Sequence, residues 1–142
     1  MKYRKNGVID VTTHKKVPYI NFTATQTKEA QVLSKAFIRS SIALDLTRQE
    51  LCAITGMSEA TLSRFFSGKT TLNPNSKEGE IAILFLRIYR SLDALFGHNS
   101  EQAKLWLKGY NFHLKGIPVD LIKAISGLIE VNVYLDAMRG KL

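Results

Sequence analysis

The chain has 142 residues, of which 45% are apolar, and its 20 Lys+Arg against 12 Asp+Glu give a net charge of +8. This composition excludes wholesale disorder, and since no apolar run approaches the ~18 residues of a membrane span, it excludes a transmembrane helix as well. The basic residues 1–10 lack the apolar stretch of a secretory signal, and the single cysteine, Cys52, is typical of a reducing cytoplasm. We therefore expect a cytoplasmic protein of one domain or two small ones, with a polyanionic partner and no membrane partner.

The chain begins with a basic leader, residues 1–27, which we leave unassigned. Residues 1–20 carry a net charge of +4, half of the total surplus. Such a leader either follows a phosphate backbone or is a solvated terminus. Its fragments GVIDV and VPYINF have strand-like composition, although Pro18 limits any strand there.

After the leader, the apolar residues recur with the period of a helix. Thr47 and Asn99 each begin a string that resembles a capping box, and Pro118 suits a first helical position. The predicted helices cover about 28–44, 48–54, 59–67, 77–96, a segment between Asn99 and Gly109, 118–124 and 127–138. The predicted fold is all-α, in two lobes, residues 28–96 and 97–142, joined by the long helix.

Residues 48–67 have the spacing of a helix-turn-helix. Gly56 suits the left-handed backbone of the turn, which costs a residue with a side chain roughly 1 kcal/mol. Met57 and Leu62 are placed to hold the second helix against the first, and Ser58 is placed to cap it. The predicted exposed face of the second helix carries Glu59, Ala60, Ser63 and Arg64.

The string Gly-Met-Ser-x-x-Thr-Leu-Ser-Arg-x-x-Ser-Gly-Lys, residues 56–69, resembles the helix-turn-helix of Xre and phage-repressor proteins. The resemblance implies that the second helix enters the major groove of DNA, with Arg64 suited to guanine and Glu59 to cytosine. The residues expected to contact DNA are Thr47, Ser58, Glu59, Ala60, Thr61, Ser63, Arg64 and Lys69, of which Thr47, Thr61 and Lys69 would hold phosphates. Because residues 28–70 carry a net charge of only +2, a motif kept for packing or for dimerisation stays an alternative.

The second lobe carries a longer pattern. It consists of Leu95-Phe96-Gly97, Ala103-x-x-Trp106-Leu107, Asn111-x-x-Leu114-x-Gly116-x-Pro118-x-Asp120-Leu121-Ile122, Gly127, Val131, Leu135 and Arg139-Gly140. This pattern resembles the C-terminal toxin-binding domain of the Xre/MbcA/ParS antitoxins. The resemblance implies a type II antitoxin that covers the active-site entrance of a RES-domain, NAD-consuming toxin and represses its own operon. Since operators mirror protein symmetry, we expect a homodimer on a palindromic operator.

The tail of residues 138–142 is short and cationic, which suits a cleft that takes a phosphate-bearing cofactor. We expect Arg139 to be inserted there, because its planar fork pairs with carboxylates better than a lysine would. The residues expected to bind the toxin are Trp106, Asn111, Met138, Arg139, Gly140, Lys141 and Leu142. The large apolar residues of the pattern are better explained as core of the lobe than as toxin contacts, and this applies to Trp106, Leu107, Leu114, Leu121 and Leu135. Arg139 and Lys141 therefore carry most of the prediction.

The sequence contains no enzyme signature of the GxSxG, HExxH, P-loop or GxGxxG type, and its three histidines share no metal-ligand spacing with Cys52. We therefore expect no enzymatic activity, no metal and no cofactor. Two alternatives to the antitoxin stay open. One is a free-standing transcription regulator whose second lobe dimerises, and the other is an adaptor without a DNA role.

Overall fold

The computed structural model describes Val8–Ile9, Lys16–Val17 and residues 27–140. The helices in these ranges are α1 (Lys28–Ala43), α2 (Arg48–Thr55), α3 (Glu59–Phe66), α4 (Lys77–Leu95), α5 (Ser100–Lys108), α6 (Pro118–Leu121) and α7 (Ile125–Gly140). The predicted all-α fold is therefore confirmed for the two lobes. In the leader, the two-residue strands β1 (Val8–Ile9) and β2 (Lys16–Val17) pair antiparallel, and β2 ends directly before Pro18.

Side-chain caps explain where the helices begin. At the start of α2, the Thr47 hydroxyl accepts from the Glu50 amide at 3.1 Å, and Glu50 Oε2 accepts from the Thr47 amide at 2.8 Å, which confirms the predicted capping box. The same kind of acceptor begins four further helices, through Thr27, Ser58, Ser76 and Asn99. Each bond satisfies an amide that has no partner within its own helix, so these short polar residues fix the element boundaries.

Two predicted helix boundaries near the C-terminus were wrong. Helix α6 ends at Leu121 rather than Ala124, because the amides of Lys123 and Ala124 turn back to bond the third residue before them. Helix α7 covers Ile125–Gly140 rather than 127–138, since the Leu128 amide already bonds the Ala124 carbonyl at 2.9 Å. The Ser126-Gly127 pair that was expected to precede the last helix therefore lies in its first turn.

The long helix α4 packs against both halves of the fold. On one side it meets α1, where the ring of Phe37 lies 5.5 Å from that of Phe85 in α4 and 5.7 Å from that of Phe65 in α3. On another side it meets α7, where Asn132 Nδ2 donates to the Leu84 carbonyl at 3.1 Å. Buried apolar residues of both lobes belong to one cluster, so the lobes share a core.

Two glycines of the C-terminal pattern lie against Leu121. A Cβ built on the buried Gly127 would overlap the Leu121 backbone carbonyl, so α7 touches the preceding turn backbone to backbone. A Cβ on Gly116 would lie 3.0 Å from Leu121 Cδ2. Close packing around Leu121 thus explains why glycine occupies both positions, and the explanation needs no contact with a toxin.

We predict that Gly127→Ala lowers the free energy of unfolding by about 2–3 kcal/mol, because the backbone of Leu121 cannot make room for the new Cβ. Gly140→Ala in the last turn of the same helix is the matched control, since a Cβ there meets nothing within 4 Å. Chemical denaturation of both variants measures the difference. Equal stability of the two would contradict the close approach at Gly127.

Candidate DNA-binding and toxin-binding surfaces

The turn between α2 and α3 has the backbone that the sequence predicts. Gly56 adopts φ +75° and donates its amide to the Cys52 carbonyl, which ends α2 in the left-handed region. Met57 is buried below the turn, and its amide donates to Thr55 Oγ1 at 3.2 Å. Ser58 Oγ then accepts from the Thr61 amide at 3.1 Å and starts α3. The crossing angle of the two helices is therefore fixed within three residues.

Helix α3 has one buried and one exposed face. Leu62 and Phe65 are buried, and the guanidinium of Arg48 in α2 lies 4.1 Å from the ring centroid of Phe66, which holds the far end of α3 to α2. The four predicted base readers, Glu59, Ala60, Ser63 and Arg64, are all exposed. The helix therefore presents these side chains together, while their contact with bases stays a prediction.

The predicted phosphate-binding residues keep hydrogen-bonding capacity at the surface. The Thr47 hydroxyl accepts from the Glu50 amide, so its own proton remains available to an outside acceptor. Thr61 Oγ1 accepts from Ser58 Oγ at 2.8 Å and lies 3.5 Å from Arg64 Nη2, which places the threonine beside the predicted readers. Lys69 is exposed in the turn that follows α3.

In the C-terminal lobe, Trp106 and Asn111 make contacts within the chain. The half-buried Trp106 ring stacks on Tyr134 of α7, with 6.2 Å between centroids and 20° between planes. Asn111 Oδ1 accepts from the Leu114 amide at 3.0 Å. The expected core positions Leu107, Leu114 and Leu135 are buried, and Leu121 is partly buried. Contacts of Trp106 and Asn111 with a toxin stay predictions.

The predicted tail is in part helical. Met138, Arg139 and Gly140 form the last turn of α7 and are exposed, whereas Lys141 and Leu142 lie outside the described residues. Arg139 Nη2 lies 2.9 Å from Asp136 Oδ1, and Arg87 of α4 lies 2.7 Å from Asp136 Oδ2. One carboxylate thus pairs with two arginines, so the position of Arg139 depends on a charge shared with α4.

Sequence reasoning missed two exposed apolar features. One is the pair Tyr110 and Phe112 in the loop between α5 and α6, whose position between Gly109 and Gly116 was a signal that the loop displays them. The other is a groove of about 460 Å³ between α1 and α4. Its lining residues are Lys28, Glu29, Val32, Leu33, Ala36, Ile83, Leu86, Arg87 and Arg90. None of these residues was predicted to contact DNA or a toxin.

Within residues 27–140, no helix has the length and apolar character needed to span a bilayer. In the same range, no three His, Cys, Asp or Glu side chains converge as a metal site. His98 Nδ1 instead lies 2.5 Å from Asp93 Oδ2 at the end of α4, and His14 lies outside the described residues.

The fold and its exposed surfaces define a two-part binding protein: a helix-turn-helix lobe and a helical C-terminal lobe that share α4. Comparison with protein families gives each part an assignment. Residues 25–87 match the antitoxin Xre-like helix-turn-helix domain, and residues 91–141 match the antitoxin Xre/MbcA/ParS C-terminal toxin-binding domain. The chain belongs to the Xre/MbcA/ParS-type antitoxins, and its two domains imply a toxin and DNA as partners. No curated protein matches the chain at a significant level.

We predict that Gly56→Ala lowers the free energy of unfolding by about 1 kcal/mol, because φ +75° disfavours a residue with a Cβ. A Cβ at Gly56 meets nothing within 4 Å, so the loss measures backbone strain alone. Gly56→Asn is the control, since asparagine tolerates left-handed backbone better than alanine. Urea denaturation should rank the variants Gly, Asn, Ala in falling stability, and a more stable Ala variant would contradict the strain.

Proposed function

We propose that this antitoxin neutralises a RES-domain toxin that consumes NAD and represses its own operon through α3. The observation that carries the proposal is the presence of two separate exposed surfaces, the outer face of α3 and the cationic last turn of α7, on one shared core. We assign residues 28–96 to DNA recognition and 97–142 to the toxin. Because DNA and NAD are both met in the cytoplasm, we place the protein there.

On the DNA side, α3 would lie in the major groove with its N-terminal turn towards the bases. Arg64 donates a planar pair of N–H groups suited to guanine, and Glu59 accepts from the amino group of cytosine. Ala60 and Ser63 complete the face, and Thr47, Ser58, Thr61 and Lys69 border it. A homodimer would place two copies of α3 in successive major grooves of a palindrome, since half-site spacing follows protein symmetry.

On the toxin side, the end of α7 would cover the active-site entrance. Arg139 and Lys141 carry the positive charge that a cleft for a phosphate-bearing cofactor favours. Arg139 is exposed and forms its ion pair on the surface, where such a pair is worth only about 0–1 kcal/mol. Release of Arg139 from Asp136 therefore costs little when a toxin carboxylate replaces it.

For operator binding, we predict that Arg64→Ala weakens affinity by about 1–3 kcal/mol, because a bidentate contact to guanine is lost. Arg90→Ala is the matched control: it removes the same charge from an exposed position in the groove beside α1. Titration of operator DNA by fluorescence anisotropy at fixed salt compares the two variants. Equal losses would show that Arg64 contributes only general charge, and unchanged affinity would remove it from the readers.

For toxin neutralisation, we predict that Arg139→Ala reduces the rescue of growth when the toxin from the neighbouring reading frame is co-expressed, and that deletion of residues 138–142 abolishes it. Arg87→Ala is the matched control, because it removes the other arginine that pairs with Asp136. Colony counts and cellular NAD measure the outcome. Full rescue of growth by the protein that lacks residues 138–142 would contradict the proposal that the tail covers the active-site entrance. A neighbouring toxin that leaves NAD unchanged would contradict the RES assignment.

A further inference from the structure

The loop between α5 and α6, residues 109–117, displays two aromatic rings to solvent. Phe112 is 85% exposed, more than any other large apolar side chain in the described ranges, and Tyr110 is 57% exposed. The two rings form an edge-to-face pair with centroids 5.0 Å apart. Burying such an aromatic pair against a partner removes a large apolar area from water, so its exposure in the free protein marks a candidate contact.

The loop holds this aromatic pair in a defined position. The Asn111 amide donates to the Gly116 carbonyl at 2.8 Å, and the Gly116 amide returns to the Asn111 carbonyl at 3.2 Å. Inside this bridge, Asn111 Oδ1 accepts from the Leu114 amide, and the Leu114 side chain is buried. Much of the entropy of ordering the loop is therefore already lost on folding, which favours tight binding by a preorganised surface.

The residue that follows the aromatic pair in the loop lies against α7. The ring of His113, the residue after Phe112, lies 6.1 Å from the Tyr134 ring, and Trp106 stacks on the same tyrosine. Met138 follows Tyr134 by one helical turn, so it lies on the same side of α7. Tyr134 thus links the aromatic loop, through His113, to Met138 in the last turn of α7.

The charge around the aromatic pair limits the kind of partner. Residues 108–117 include Lys108 and Lys115 and contain no Asp or Glu. A second copy of this chain placed on the loop by two-fold symmetry would bring these like charges together, which disfavours self-association here. An edge-to-face aromatic pair with only two lysines also gives a poor match to a phosphate backbone. The surface suits a protein partner with an apolar recess bordered by carboxylates.

We propose that Tyr110 and Phe112 are the anchor by which this antitoxin holds its toxin, inserted into an apolar, acid-bordered recess beside the entrance that Arg139 covers. The partner rests on the proposed function above, while the site rests on the exposure and rigidity of the loop and on its link to α7. Binding then has two parts: the aromatic pair supplies most of the affinity, and the last turn of α7 covers the entrance to the toxin's active site. In this arrangement Asn111 is a positioning residue that holds the aromatic loop, and Trp106 orients Tyr134, beside which His113 of the loop lies.

The test measures binding of the full-length antitoxin to a catalytically inactive form of the toxin encoded by the neighbouring reading frame. Phe112→Ala should raise Kd at least about thirty-fold, as loss of a central aromatic anchor does. Tyr110→Ala, a second variant at the same surface, should weaken binding in the same direction. Ile129→Ala is the matched control, because Ile129 is an exposed apolar residue of the same lobe, about 140° around α7 from Tyr134. Its Kd should stay within about three-fold of the unchanged protein.

A direct readout comes from Trp106, the only tryptophan in the chain. Replaced by a fluorinated tryptophan, it gives one fluorine resonance that should shift when the toxin binds, because its ring stacks on Tyr134, beside which His113 of the loop lies. Wild-type antitoxin that fails to bind the toxin would overturn the proposed function together with the anchor. Wild-type binding with Phe112→Ala within three-fold, or with Ile129→Ala equally weakened, would overturn the anchor alone. Normal helicity and unfolding of each variant separate lost contact from lost fold.

Discussion

The packing of helix α4 against helices α1 and α7 is the constraint on which the rest of the structure depends. Asn132 marks the contact with α7: its Nδ2 donates to the carbonyls of Leu84 and Leu128, and its buried Oδ1 has no hydrogen-bond partner in the described part of the chain. A buried acceptor without a partner costs about 1–3 kcal/mol. The two bonds from Asn132 Nδ2 offset part of this cost, because they fix the register of α7 on α4. The same register sets how the C-terminal lobe is placed on the first lobe.

Aromatic side chains support both proposed contact surfaces from behind. Phe65 on the inner face of α3 meets Phe37, which in turn meets Phe85 of α4. In the C-terminal lobe, Trp106 stacks on Tyr134 of α7, and the ring of His113 from the aromatic loop lies 6.1 Å from the same tyrosine. Edge and stacked ring contacts have preferred geometries, so they orient the elements that carry exposed side chains as well as burying area.

Local signals made most of the fold predictable. Thr47 with Glu50, Gly56 and Ser58 act through contacts within four residues of sequence, so the helix-turn-helix follows from the chain alone. The start of α7 was missed because Gly127, which resembles a helix breaker, is required by the approach of a distant backbone carbonyl. The exposure of Phe112 also escaped prediction. An aromatic residue in a loop has no periodic pattern to show which way it faces, and the flanking glycines Gly109 and Gly116 indicate only that it lies in a loop.

The resemblance supplied the family, and the structure adds which contacts two of its predicted toxin-binding residues make within the chain. The pattern pointed to Trp106 and Asn111 as toxin contacts, yet both are occupied with neighbours of their own. Asn111 orders the loop that carries Tyr110 and Phe112, and Trp106 stacks on Tyr134, which the ring of His113 also approaches. A family sequence pattern can therefore include residues that hold a binding surface in place as well as residues that contact the partner.

The shared core also bears on how the two partners influence one another. Phe65 of α3 and Tyr134 of α7 both pack on the same apolar cluster, so the two lobes are joined through one core. For the toxin and operator proposed above, we place the coupling between the two binding sites in valency. An assembly that gathers several antitoxin copies presents several copies of α3 at once, and the second binds at the effective concentration set by the first.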